Sequence, residues 1–277
     1  MLKTRILTAL VLLAVLLPVL YSNNFTAFAV VATAFFGAAV WETFRLFNPK
    51  SNKAIVVAAA WTAAFAWTFF FNENGAAQTF WFVISVLVWV LRFVPSLKTG
   101  LPPLDSLANT LLSLTYAVSL VGCFAAIVAL YAYSPLYLLS VLAIVWSADI
   151  FAYVCGKTFG KRKIAPTISP GKSWEGAIGG GIVTVVVATL VIAFGGEALA
   201  NTFPVRVQAS LGWAATWLVV ALMVAASIVG DLFESQLKRR AGMKDSSNLL
   251  PGHGGVLDRV DGLVPVLPLA ALIGAWL

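Results

Sequence analysis

Nine apolar runs, each near the length that crosses a bilayer, occupy most of this chain and leave little sequence between them. They lie at about 6–22, 25–47, 54–71, 77–97, 107–131, 134–155, 174–196, 211–237 and 255–277. A helix needs ~20 apolar residues to cross ~30 Å of hydrocarbon. Lipid cannot satisfy the open edge of a sheet, so such runs are expected to be helical. The alternating pattern of a membrane β-barrel is absent. Only 10% of the residues are charged, against about 25% in an ordinary soluble domain. The expected fold class is an all-α polytopic membrane protein, one integral membrane domain over residues 1–277. Lys3 and Arg5 precede the first run as in a secretory signal. No small-x-small cleavage site follows Tyr21, so this run reads as the first anchor. Cys123 and Cys155 fall inside apolar runs without metal-ligand spacing, and read as reduced thiols acting as small hydrophobes.

The net charge is +7, and its placement is more informative than its size. With nine spans and a cytoplasmic N-terminus, the C-terminus lies outside. Lys3, Arg5, Arg45, Lys50, Lys53, Arg92, Lys98, Lys157, Lys161, Arg162, Lys163, Lys172, Lys238, Arg239, Arg240 and Lys244 then fall on the cytoplasmic side, 16 of the 18 basic residues. Arg206 falls in an outer loop with Glu73 and Glu197, and Arg259 opens the last run. This is a strong positive-inside bias. The two larger inner loops, 156–173 and 239–254, are basic and rich in Gly, Ser and Pro, and they adjoin runs that carry acids. Chemistry is therefore expected at the cytoplasmic face of a bacterial-type cytoplasmic membrane. No repeat of the kind found in inverted-repeat transporters is present.

Residues 231–261 hold five of the 11 acids and the only histidine. Charge inside a membrane costs about 2.5–3.5 kcal/mol per residue on insertion scales. A helix places Asp231, Glu234, Ser235 and Lys238 on one face. A Glu234–Lys238 ion pair at i,i+4 accounts for Glu234 but leaves Asp231 without a local partner. Pro251, Gly252, Gly254 and Gly255 then impose a tight turn. Such a turn, leading into a helix, offers backbone N–H groups to an anion. Asp258 and Asp261 follow at i,i+3. Beside a phosphate-binding turn, Asp231, Asp258 and Asp261 suggest Mg²⁺, which takes a few carboxylates and fills its remaining positions with water or phosphate oxygens. Mn²⁺ is an alternative and a second cation is compatible with the same set. The plainer reading, acids complementing a helix N-terminus, accounts for one of these residues only. His253 either touches substrate phosphate and assists proton transfer or simply shapes the turn.

Upstream, Asp149 lies late in the sixth run, where an acid is expected to face a polar cavity. Lys157, Lys161, Arg162 and Lys163 mark the membrane surface, where attraction to anionic lipid is the simpler role. The segment Ser169, Pro170, Gly171, Lys172, Ser173, Trp174, Glu175 opens the seventh helix. Ser173 is a candidate N-cap, with Glu175 one residue early for a capping box. Lysine and hydroxyls at a helix N-terminus suit a triphosphate. Trp174 would stack on a base or sit in the interfacial aromatic belt.

Taken together, these residues resemble the CDP-diacylglycerol synthases, the phosphatidate cytidylyltransferase family. The C-terminal pattern of that family is met by Ser235, Leu237, Lys238, Arg239, Lys244, Asp245, Ser247, Leu250, Pro251, His253, Gly254, Gly255, Val256, Asp258, Arg259, Val260 and Asp261. Asp149, Tyr153, Gly156, Lys157, Phe159, Gly160, Lys161, Ser169, Pro170, Lys172 and Glu175 also resemble it, with Ser173-Trp174 standing where Thr-Trp or Thr-x is more usual. The motifs belong to the C-terminal portion, residues 133–277, and the helical N-terminal portion, residues 1–132, shares only its multi-span character. The resemblance implies a nucleotidyltransferase of phospholipid biosynthesis that converts CTP and phosphatidate to CDP-diacylglycerol and pyrophosphate. Its partners would be those substrates and membrane lipids, not nucleic acid, and it implies a homodimer. Asp231 and Asp258 would ligate Mg²⁺, with Asp261 a ligand or its neighbour. Lys238, Arg239 and Arg259 would bind phosphates, with Lys244 and Lys163 close by. Ser169, Lys172, Trp174 and Glu175 would hold CTP near Asp149. The competing readings are an ion-coupled transporter using Asp149, Asp231 and Asp258, and a CDP-alcohol phosphotransferase-like enzyme. The second requires two acids four apart, where Asp258 and Asp261 are three apart.

Overall fold

The structure, a computed structural model, describes residues 2–70 and 75–277. Glu73 and the expected end of the third apolar run lie outside the described residues. Among the described residues eleven α-helices follow one another: α1 Leu2–Tyr21, α2 Phe25–Phe47, α3 Ala54–Phe70, α4 Gly75–Val88, α5 Val94–Thr99, α6 Leu107–Tyr133, α7 Pro135–Phe159, α8 Trp174–Phe194, α9 Phe203–Arg240, α10 Leu257–Val260 and α11 Leu263–Gly274. Among the described residues, six helices are long and apolar enough to cross a membrane. Shorter apolar helices, Ile6–Tyr21, Ala54–Thr68 and Leu263–Gly274, stand in the places of the three other expected runs.

The fold is mostly helical, consistent with the expected all-α membrane protein, and carries one small addition: β1 Lys163–Ala165 and β2 Ser169–Ser173 pair antiparallel as a hairpin. Its sequence contains Pro and Gly, which disfavour helix, and the hairpin satisfies its own backbone. The last run, 255–277, is not one helix. It is a turn, the short α10, and α11 of 12 residues, about 18 Å long and short of ~30 Å of hydrocarbon. The tight turn around Gly254, at φ 83°, delays the start of regular helix.

Several connections gather at one end of the bundle. Asn109 donates to the carbonyls of Phe47 and Leu104, at 2.9 and 2.8 Å. Arg240 donates to Pro102 O at 2.8 Å and lies over the Phe47 ring. Gln236 donates to Ser96 O and Arg239 to Ile168 O. The C-terminal ends of α2, α5 and α9 and the hairpin thus meet here. Helix α9 reaches this end because its non-helical residue, Gly212 (φ 78°), separates a short first segment from the long one that follows. The segment after Gly212 is roughly 42 Å long at 1.5 Å per residue, so its Lys238, Arg239 and Arg240 extend past the apolar stretch.

Beneath this polar end, Trp89, Phe93, Tyr116 and Phe233 form an aromatic cluster, with ring centroids of Phe93 and Tyr116 at 4.6 and 5.2 Å from Phe233. Trp89 and Phe93 bound a π-helical turn that links α4 to α5. Pro95 follows it and cannot donate to the preceding turn, which accounts for the widening. Helices α7 and α8 pack through small residues. A Cβ on Gly180 would lie 2.7 Å from Ala152 N and 2.8 Å from Ala148 O, and one on Gly176 would lie 2.7 Å from Ala152 O. Without a hydrophobic driving force in lipid, such close backbone approach is the main source of helix association. Gly180→Val should therefore lower stability by about 1–3 kcal/mol, read as a drop in the thermal midpoint of the detergent-solubilised protein. An unchanged midpoint would contradict this packing.

Candidate active site

A cavity of about 580 Å³ opens beside the hairpin. Its wall includes Asp149 from α7, Lys163 from β1, Lys172 from β2, Asp231 from α9, Asp258 from α10 and Asp261 at the end of α10. Carboxylates and lysines from four separate parts of the sequence thus share one space. Tyr153 and Lys157 line it as well, one and two turns beyond Asp149 on α7.

The helices can approach because glycine stands at the crossings. A side chain at Gly230 would overlap the Asp261 carbonyl and come within 2.9 Å of Pro265. One at Gly262 would come within 2.7 Å of Ser227 Oγ. On the opposite wall Ser173 caps α8, as its position predicts, accepting from Gly176 N at 3.2 Å.

The charges are paired across elements. Lys172 Nζ lies 2.5 Å from Asp231 Oδ2, joining the hairpin to α9. Ser235 donates to the other Asp231 oxygen at 3.2 Å. Lys238 sits between two acids, donating to Asp258 Oδ1 at 2.6 Å and pairing with the buried Glu234. The expected Glu234–Lys238 pair is therefore present, but the same ammonium also serves Asp258. Asp258 Oδ2 accepts from Gly255 N at 2.7 Å and from Ser246 N and Oγ, each at 2.8 Å. Burial pushes the Asp258 carboxyl up, but hydrogen bonds from Lys238, Gly255 and Ser246 outweigh it and hold the group below its ordinary value.

Other expected site residues build the frame. Glu175 accepts from Lys161 N and Arg162 N, at 3.0 and 3.1 Å, and pairs with the Arg162 side chain. It fastens the hairpin to α8 and does not line the cavity. Arg259 donates through Nε and Nη2 to the His253 carbonyl, at 3.0 and 2.5 Å. That contact holds the turn in which Leu250 and Gly254 form a bridge. Arg239 ties α9 to the hairpin. Lys244 is exposed in the loop after α9, and Ser169 belongs to the hairpin strand without lining the cavity. Trp174 is exposed and lines a second, apolar groove of about 440 Å³ between α8 and α9. The two spaces share Ala177 and Ile228.

The sequence motifs do not single out Glu42. Its side chain is fully buried and accepts from Ser246 Oγ, Ser247 Oγ, Val256 N and Leu257 N. The signal for it was a carboxylate in an otherwise apolar run, a residue that usually has a specific role.

For a cation, the donor set is suitable in chemistry. Asp231, Asp258 and Asp261 converge on one cavity, and the Lys172 ammonium already stands against Asp231 as a positive charge would. Among the described residues no three His, Cys, Asp or Glu side chains stand close enough to hold a metal by themselves. Phosphate oxygens would have to complete the shell, as is usual for Mg²⁺.

The chain matches the model described as "Cytidylyltransferase family" over residues 3–277. It is 36% identical to a phosphatidate cytidylyltransferase of Haemophilus influenzae, over 97% of this chain and 96% of that protein. Identity to the Pseudomonas aeruginosa protein of the same name is 37%, over 99% and 98%. The Bacillus subtilis protein of that name is 30% identical, over 96% and 95%.

Removing the shared cation should expose how the cavity wall is held. Lys238→Met leaves Glu234 and Asp258 without their ammonium, and should cost about 3–5 kcal/mol, measured by thermal melting. A change within experimental error would mean that the pair is not closed in the folded protein.

Proposed function

This chain belongs to the cytidylyltransferase family, and we propose that its acid-and-lysine cavity is where CTP and phosphatidate become CDP-diacylglycerol and pyrophosphate. One observation carries the reading: carboxylates and lysines from α7, the hairpin, α9 and α10 converge on a single cavity whose neighbour is an apolar groove. A phosphate-rich headgroup suits the first space, and acyl chains suit the second, whose wall includes Ile178, Ile182, Val185 and Val224. Few enzymes that act on soluble substrates alone would need that adjacency.

An oxygen of the phosphatidate phosphate attacks the α-phosphorus of CTP. A new P–O bond forms, the bond to the bridging oxygen breaks, and pyrophosphate leaves with that electron pair. Both reactants are polyanions, so the barrier is mainly charge repulsion, and positioning with electrostatic stabilisation is the main means of lowering it. Lys163, Lys172 and Lys157 line the cavity and would meet phosphate oxygens. Asp231, Asp258 and Asp261 would hold Mg²⁺, which when bound neutralises phosphate charge. A phosphate monoester is already nucleophilic, so the site needs no strong general base.

The cavity end is proposed to face the cytoplasm. Support comes from the basic residues Lys157, Lys161, Arg162, Lys163, Lys238, Arg239, Arg240 and Lys244, all placed at that end of α7, α8 and α9, as positive-inside placement requires. A cytoplasmic membrane is the proposed location, with CTP arriving from the cytoplasmic side.

The test is transfer of labelled CTP into a lipid-soluble product, with stoichiometric pyrophosphate release that depends on phosphatidate. Release of CMP would instead indicate a phosphotransferase. Asp231→Asn and Asp261→Asn should each lower kcat by about 10²–10³-fold, and Asp258→Asn should also abolish most turnover. Near-normal turnover in Asp231→Asn or Asp258→Asn would remove the cation assignment.

A further inference from the structure

Helix α2 lies outside the segment that carries the sequence motifs, yet it reaches the loop that builds the site. Glu42 is fully buried, and no ion pair among the described residues includes it. Its carboxylate is matched by three neutral donors, Ser247 Oγ, Val256 N and Leu257 N, with the Ser246 hydroxyl, which also reaches Asp258, as a fourth within range. Ser247 Oγ and Val256 N approach Oε1 at 2.5 and 3.1 Å, and Ser246 Oγ and Leu257 N approach Oε2 at 3.2 and 2.6 Å. Burying a carboxylate is costly unless such donors replace water. The fit is close. A side chain at Gly255 would overlap both Ser246 Oγ and the Glu42 carboxylate.

Two of the donors lead directly to the reacting region. Leu257 is the first residue of α10, one before Asp258. Ser246 touches Asp258 Oδ2 through both its N–H and its hydroxyl. The Ser246 hydroxyl has a single hydrogen and stands within reach of both carboxylates. Glu42 and Asp258 therefore meet at the same loop residue.

We propose that Glu42 is a positioning residue for the transfer reaction: from α2 it clamps residues 246–257 and so sets where Asp258 stands in the cavity. The inference rests on the cavity being the transfer site. It places a requirement for the N-terminal half in a reaction whose recognisable motifs all lie in the C-terminal half. Glutamate is required over glutamine, because an amide has one acceptor oxygen in place of two and would turn an N–H₂ group toward backbone N–H donors.

Glu42→Gln, Ser246→Ala, Ser247→Ala and the Glu42→Gln/Ser246→Ala pair test this in the full-length chain in membranes, with CTP and phosphatidate as substrates. Glu42→Gln should lower kcat by about 10–100-fold, the range for residues that orient ligating groups, with KM for CTP unchanged. Ser246→Ala should lower kcat in the same way. The double variant should lose more than Glu42→Gln but less than the two single losses combined, since residues in contact are not additive. Ser247→Ala, which removes a Glu42 donor but no Asp258 donor, should lose less than Ser246→Ala. Amide hydrogen exchange across 246–260 should accelerate in Glu42→Gln. Wild-type kcat in Glu42→Gln, a loss confined to KM, or fully additive losses in the double variant would each overturn the proposal. If Glu42→Gln fails to accumulate, equal losses in the two serine variants would overturn it. If the wild-type protein transfers no cytidylyl group, the reading of the cavity fails, while unchanged exchange in Glu42→Gln would separately remove the clamp.

Discussion

The carboxylate of Asp258 holds the end of α9 to the loop that follows it and to the turn before α10. One oxygen takes the Lys238 ammonium from α9, and the other takes the Gly255 amide and both donors of Ser246. Hydrogen bonds in which a partner is ionised are about twice as strong as neutral ones. They also fix direction, because the ammonium arrives from α9 and the other donors from the loop on the opposite oxygen. Without this carboxylate the 246–257 loop would lose the group around which it folds, and Lys238 would pair with Glu234 alone. The rest of the cavity wall depends on that arrangement, since Asp261 and the approach of Gly230 to the following chain lie immediately beyond it.

The polar end separates into a lining and a frame. Asp149, Lys163, Lys172, Asp231, Asp258 and Asp261 face the common space. Glu175, Arg239 and Arg259 bind backbone groups and hold the hairpin and the turn in place. Charged side chains in the second group look identical to the first in the sequence, and they sit in the same motifs. A guanidinium with a rigid fork of donors suits a carbonyl as well as a phosphate, so residue type alone does not tell the two uses apart. Only the direction of the side chain does.

Much of the fold was legible. The lengths of the apolar runs follow from the thickness of a bilayer, and the Ser173 cap and the Glu234–Lys238 pair follow from local helix geometry, as found. The division at Gly212 inside α9 coincides with the start of the run at 211–237, but the shortening of the last helix was not legible, because a run of apolar residues does not reveal where its backbone leaves the helix. The hairpin is hidden for a similar reason: its strands are three and five residues long, too short for an alternating pattern to register. Glu42 escaped notice because its partners lie more than 200 residues away, and no local spacing can report such a contact.

By itself, the sequence determined that the chain is a helical membrane protein, that its basic residues flank the apolar runs, and that acids of 231–261 belong together. These follow from interactions that are local or averaged, namely hydrophobic length, charge bias and helical periodicity. The tertiary structure alone decided which acids face the cavity, that Lys238 is shared between Glu234 and Asp258, and that α2 clamps the loop beside it. Those outcomes depend on how closely helices can approach, and that is set by glycines such as Gly176, Gly180 and Gly230 meeting specific backbone atoms on another helix.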